Sequence, residues 1–171
     1  MALTFDPARE EDASVIASLR QRCWAATYRG VYPDEMIDRF DHAWHAQRDL
    51  ARIRDPRYAV CVIRDSGLPI GYITLRRGEQ PLLQSLYVLP DHQRRGVGRS
   101  AFAHIRSLLD AEGCAAFTCH CLPGNAPARA FYERMGGLLC GEDTGNDEAW
   151  QDSVIYRFPV HPDPDPLQEA P

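Results

Sequence analysis

Short stretches in which apolar residues alternate with polar ones, or run unbroken, fall at residues 3–5, 58–64, 70–76, 82–89, 115–122, 138–141 and 153–158, and each reads as a β-strand. Between them the period lengthens. Ala13, Ile16, Ala17, Leu19 and Trp24 recur at helical spacing over residues 9–26, and Gly30 and Pro33 break that pattern. Met36, Ile37, Phe40 and Trp44 then mark a second helix running from residue 34 to residue 53. Phe102, Ile105, Leu108 and Leu109 form the buried stripe of a helix over residues 99–112, with Gly113 as its stop. Pro123-Gly124-Asn125 turns the chain into a last helix, 126–136, ended by Gly136-Gly137, and Ser66-Gly67 closes a hairpin. The order β-α-α-β-β-β-α-β-α-β-β predicts an α/β (α+β) fold, a mixed central sheet of about seven strands with helices on both faces. One domain is expected over residues 1–158, followed by a Pro- and Asp-rich tail, 159–171, expected to be disordered.

Composition narrows the class. The 171 residues suffice for one domain with a core. No apolar run approaches the roughly 20 residues of a membrane helix. The opening Met-Ala-Leu-Thr-Phe-Asp-Pro has no basic stretch followed by an apolar one, so no signal peptide and a cytoplasmic location are expected. Net charge is −5, with Asp163, Asp165 and Glu169 in the tail, and nothing suggests a nucleic-acid surface. All 19 basic residues are Arg, which excludes a lysine Schiff base and a P-loop lysine. The six cysteines form no Cys-x-x-Cys pair and read as small buried apolar residues. Cys119-His120-Cys121 has metal-binding side chains, but on a strand the cysteines face one side and the histidine the other, so no metal is expected.

The most informative segment is residues 86–98, Leu-Tyr-Val-Leu-Pro-Asp-His-Gln-Arg-Arg-Gly-Val-Gly. An apolar strand enters a turn, a Gln-x-x-Gly-x-Gly loop follows, and a helix starts at once. Glycines let backbone N–H groups approach an anion, the helix N-terminus adds the positive end of its dipole, and Arg94, Arg95 and Arg99 add charge. A plain glycine turn before a helix is the alternative reading. A dinucleotide-binding arrangement is set aside, because its glycine loop follows the first strand and here three other strands come before.

Gln93-Arg94-Arg95-Gly96-Val97-Gly98, preceded by Leu86-Tyr87-Val88-Leu89-Pro90, resembles the loop Gln/Arg-x-x-Gly-x-Gly/Ala of the GNAT family of N-acetyltransferases. A second block, Asn125-Ala-Pro-Ala-Arg-Ala-Phe131-Tyr132-Glu-Arg-Met-Gly136, resembles the family's later helix, Asn…Ala…Phe-Tyr…Gly. Cys23-Trp24-Ala-Ala-Thr27-Tyr28-Arg29-Gly30-Val31-Tyr32-Pro33 is similar to the first-helix segment of many bacterial members. The resemblance spans residues 3–158.

It implies transfer of an acyl group, usually acetyl, from acyl-coenzyme A to an amine, with acetyl-CoA as co-substrate and no metal. Coenzyme A is then held by Leu86, Tyr87 and Val88, whose backbone also polarises the thioester carbonyl, by Gln93, Arg94, Arg95, Gly96, Val97, Gly98 and Arg99, and by Asn125 and Arg129. Asn125 equally suits a helix N-cap, and Arg129 equally suits solvent. Tyr132 matches the family's general acid, which also contacts the cofactor; packing beside Phe131 is the other reading. The general base departs from the pattern, since some members carry Glu where this chain has Gln84. Glu79, His120 or a water chain remain as candidates. Trp24, Tyr28, Tyr32 and the loop 141–150 would meet the acceptor. Glu142, Asp143, Asp147 and Glu148 in that loop would draw a cationic amine, or are simply solvated. A non-catalytic acyl-CoA-binding module is the alternative function. Dimers are common in the family, and nothing in the sequence decides whether this chain forms a homodimer.

Overall fold

Seven strands and five helices make up the computed structural model, which describes residues 2–147 and 151–161. The strands are β1 (Leu3–Pro7), β2 (Tyr58–Asp65), β3 (Leu68–Arg76), β4 (Leu82–Val88), β5 (Ala116–Cys121), β6 (Leu138–Asp143) and β7 (Ser153–Pro159). The helices are α1 (Asp12–Thr27), α2 (Asp34–Asp38), α3 (His42–Arg54), α4 (Val97–Ala111) and α5 (Ala126–Arg134). They form a single sheet of order β1-β2-β3-β4-β5-β7-β6. The hairpin between β2 and β3 turns on Ser66 and Gly67, at φ +52° and +86°, the paired positive dihedrals that match strand twist. Among the described strands only β4 and β5 pair in parallel, and α4 lies in the crossover that a parallel pair requires.

Strand alternation sorts the core onto two faces. Ile63, Ile73, Leu75, Phe117, Cys119 and Phe158 pack with Phe102, Ile105 and Leu109 of α4, and with Phe131 and Tyr132 of α5. On the other face Val60, Val62 and Tyr72 meet Ile16, Leu19 and Cys23 of α1 and Ile53 of α3. Helices therefore cover both faces of the mixed sheet, as the sequence pattern predicts.

Three boundaries differ from expectation. The single helix expected over 34–53 is two, because the Asp41 carboxylate accepts the Trp44 N–H at 2.9 Å and starts α3 afresh as its N-cap. Helix α4 begins at Val97, two residues before the expected 99, with Gly96 at its N-cap in the left-handed conformation. At the other end, Pro159, Val160 and His161 were expected in the tail. Instead β7 includes Pro159, the Val160 N–H donates to the Ala115 carbonyl at 3.0 Å with its side chain buried, and His161 lies 2.9 Å from Asp110. The rest of the tail, 162–171, falls outside the described residues.

Candidate active site

The sheet opens between its two central strands. The β4–β5 ladder holds only Leu82↔Thr118 and Leu83↔Cys119. Beyond it, residues 85–88 pair with β3 alone: Ser85 with Thr74, Leu86 with Ile73, Tyr87 with Tyr72 and Val88 with Gly71. The β3–β4 register slips where Thr74 faces Ser85 and Leu75 faces Leu83, leaving Gln84 as the extra residue of a bulge. A bulge bends its strand and ends regular pairing. The result is a row of backbone groups in mid-sheet lacking a strand on one side, and buried backbone N–H and C=O groups require partners.

β4 leads straight into the glycine loop. The Gln93 side-chain amide donates to the Val88 carbonyl at 2.9 Å and ties the loop to the strand end. Arg94 and Gly96 adopt φ of +58° and +84°, and Ser100 N–H donates to the Gly96 carbonyl at 3.0 Å to begin the helical ladder. The N–H groups of Val97, Gly98 and Arg99 therefore project from the end of α4. Val97 is buried, which seats the helix end on the sheet, while Arg94, Arg95 and Arg99 are exposed around it. The two glycines serve different ends. A Cβ on Gly96 would meet nothing within 4 Å, so its positive φ is the constraint. A Cβ on Gly98 would come within 2.9 Å of the Phe131 ring, so this glycine lets α5 pack against α4.

α5 carries the second sequence block. The Asn125 carboxamide oxygen accepts the Ala128 N–H at 3.2 Å, which makes it an N-cap, one of the two roles its position suggests. Arg129 donates to the Tyr156 hydroxyl and the Pro123 carbonyl, both at 3.2 Å, so its guanidinium braces α5 against β7. Tyr132 is packed by Phe102, Phe158 and Tyr156, with its hydroxyl beside the Cys119 thiol. Burial first, and then Cys119, Cys121 and Tyr87, push its phenol well above the ordinary value, so it holds its proton at neutral pH.

Across the opening, Leu86 and Val88 pack toward α4 and Tyr87 toward α1. The Tyr87 hydroxyl accepts the Trp24 indole N–H at 3.2 Å and shares a 3.0 Å hydrogen bond with Tyr28. Tyr28 stacks on Tyr32 with centroids 4.5 Å apart, and Trp24 meets both rings edge-on. Burial raises the phenols of Tyr28 and Tyr87 and pushes Tyr32 up to about 12. The structure thus gathers Trp24, Tyr28 and Tyr32 with Tyr87 at the opening, against Tyr132 from the other face.

Where β4 and β5 part, a cavity of about 300 Å³ is lined by Arg52, Leu82, Leu83, Gln84, Ser85 and His120. His120 is exposed, with Nδ1 3.3 Å from the Ser153 hydroxyl, while Cys119 and Cys121 are buried on the opposite face, as strand alternation requires. Arg52 is held at 3.3 Å by Asp49, which is 1% exposed and takes a bidentate pair from Arg20 at 2.7 and 2.9 Å. Arg52, Ser85, Arg20 and Asp49 are not singled out by the sequence pattern. A signal did exist for the last two: Arg20 follows Leu19 on the buried side of α1, and Asp49 lies four residues before Ile53. Glu79 sits exposed in the β3–β4 turn and does not line the cavity, nor do the exposed Glu142, Asp143 and Asp147. Glu148 and Trp150 lie outside the described residues.

Among solved structures the chain is similar to PaiA N-acetyltransferase from Thermoplasma acidophilum in complex with coenzyme A, with TM-score 0.81 and 17% identity over 92% of this chain and 98% of that one. It is also similar to the ribosomal-protein-S18-alanine N-acetyltransferase from Escherichia coli, with TM-score 0.70 and 20% identity over 97% and 99% of the two chains. At such identities these likenesses show the fold. In sequence it is 27% identical over 85 residues to the [Ribosomal protein bS18]-alanine N-acetyltransferase of Escherichia coli (strain K12), a match spanning 48% of this chain and 57% of the relative. Residues 16–137 match the Acetyltransferase (GNAT) family. That match takes in α1 from Ile16 onward, the open strand β4, the glycine loop and α5, and the chain belongs to the GNAT acetyltransferase family.

Proposed function

We propose that the protein transfers an acetyl group from acetyl-CoA to a primary amine of a small molecule or peptide. The observation that carries this reading is the unpaired run of β4 leading directly into the N-terminus of α4. An extended amide-bearing chain such as pantetheine satisfies the free backbone of residues 84–88, apart from the Val88 carbonyl that Gln93 holds, and a pyrophosphate meets the N–H groups of Val97, Gly98 and Arg99 with Arg94 and Arg95 nearby. The open space at Gly96 suits close approach. The complex of PaiA N-acetyltransferase with coenzyme A, and the amine-acetylating relative, point the same way.

The chemistry follows from the two sides of the opening. The amine nitrogen attacks the thioester carbon, whose oxygen gathers negative charge beside a free β4 N–H. The C–S bond breaks as the amide bond forms. The departing thiolate takes the Tyr132 proton, and solvent reprotonates the phenolate. The amine gives up its proton to His120, whose Nδ1 faces Ser153, or to water in the cavity. Gln84 occupies the place of the carboxylate that some members use, which keeps alive the reading as an acyl-CoA sensor.

The test is thiol release from acetyl-CoA against a panel of amines, alongside thermal unfolding with acetyl-CoA. Stabilisation together with thiol release is the expected result. Stabilisation without release from any amine favours the sensor, and no stabilisation removes the coenzyme A reading.

A further inference from the structure

We infer that the acceptor carries a carboxylate close to its reactive amine, and that Arg52 is the residue that holds it. The inference rests on the acyl-transfer reading in placing the acceptor on the face away from α4, and it names the class of acceptor.

Arg52 projects from α3 onto the cavity under the β4–β5 opening, where the remaining lining is Leu82, Leu83, Gln84, Ser85 and His120. Its side chain is 21% exposed and anchored on Asp49. The charge of Asp49 is already matched, because Arg20, also buried, donates to both of its oxygens. Burial and Arg20 hold His45, the next partner of Arg20 at 3.3 Å, down to about 4, so it is neutral near pH 7 and adds nothing. The group therefore sets two guanidiniums against one carboxylate, and the uncompensated charge is the one at the cavity. Among the described residues no carboxylate lines that cavity.

A polyamine or aminoglycoside would bring further ammonium groups up to an arginine with no acid to receive them. A carboxylate instead meets a planar fork held in place from behind, the geometry in which arginine forms paired, charge-assisted hydrogen bonds. Gln84 and Ser85 add neutral hydrogen-bonding groups on the same wall. Behind Ser85 in the ladder, the buried Thr74 hydroxyl has no hydrogen-bond partner among the described residues. The cavity is at the small end of ligand pockets, which run from roughly 300 to 1,000 Å³, and suits an amino acid or the end of an acidic peptide. Coenzyme A phosphates do not account for Arg52, since α3 and α4 pack on opposite faces of the sheet.

The experiment is calorimetric titration of the coenzyme A-bound protein with L-amino acids and, in parallel, with their carboxamides and aminophosphonate analogues. The free acids are expected to bind roughly tenfold or more tighter than the amides. Arg52→Gln is expected to erase that preference and Arg52→Lys to keep part of it, with coenzyme A affinity unchanged in both. Arg52→Gln leaves the Arg20–Asp49 pair intact, and thermal unfolding checks the fold of each variant. Amides binding as well as acids, no acid binding at all, or a preference that survives Arg52→Gln overturns the inference. Aminophosphonates exceeding the carboxylates overturns the carboxylate assignment. Because binding is read without turnover, a failure of acetyl transfer shows separately in the thiol assay.

Discussion

The two sides of the β4–β5 opening are built on different principles. Toward α4 the surface is backbone: the free edge of residues 84–88, the positive-φ turn at Arg94 and Gly96, and the N–H groups ahead of Ser100. Side chains there mostly hold the scaffold, as Gln93 does at Val88, Phe131 at Gly98 and Arg129 at Tyr156. Toward α1 and α3 the surface is side chain. Trp24, Tyr28 and Tyr87 are hydrogen-bonded together, and Arg52 stands on a buried ion pair. In the proposed function, backbone recognises what every coenzyme A thioester shares. Side chains from separate helices can be exchanged one at a time, and so can set which amine is accepted.

The contrast predicts where damage falls. Asp49→Ala leaves Arg20 buried without a counter-charge and frees Arg52, so denaturant unfolding should show a loss of about 3–5 kcal/mol. The acetyl-CoA affinity of the folded fraction should be retained. Tyr132→Phe removes the proposed proton donor and keeps the ring, and kcat should fall about a hundredfold with little change in stability. Unchanged turnover would end its role as acid. On the α4 side, Gly96→Ala should cost about 1–2 kcal/mol through its left-handed φ alone. Gly98→Ala should cost about 1 kcal/mol net, overpacking against Phe131 being partly offset by helix propensity. A second substitution, Phe131→Leu, should relieve the Gly98 variant and leave the Gly96 variant unrelieved, which equilibrium unfolding of the double mutants reads directly.

The smallest effect concerns His45. Its folded value near 4 lies below that of an unfolded histidine, so on acidification the unfolded chain takes up a proton before the folded one does. The stability it contributes is complete above about pH 6.5 and is lost as pH falls toward 4. Thermal unfolding of His45→Gln should therefore depend less steeply on pH across that window than the parent protein.

The same contrast decides how much could be read from sequence. The α4 side is local in the chain: strand, loop and helix are consecutive, and glycines at 96 and 98 announce the turn. The reason for Gly98 was not visible, because Phe131 lies on another helix. The order of elements followed from hydrophobic period, while the break at Asp41 required recognising one N-cap inside an apolar stripe. The bulge at Gln84 is set by a slip against β3, which no local pattern shows. The α1 and α3 side is non-local: Arg20, Asp49, Tyr72 and Tyr87 meet only after the sheet forms. Beyond the aromatic run of Trp24, Tyr28 and Tyr32, charged residues on the buried sides of α1 and α3 were the trace it left.

The most direct test of the account is a crystal structure of the protein with coenzyme A. The proposed function predicts pantetheine amides hydrogen-bonded to the free edge of residues 84–88, the pyrophosphate on the N–H groups of Val97, Gly98 and Arg99, and the sulfur within hydrogen-bond reach of the Tyr132 hydroxyl. Coenzyme A bound elsewhere, or the β4–β5 gap left unfilled with the cofactor present, would contradict it.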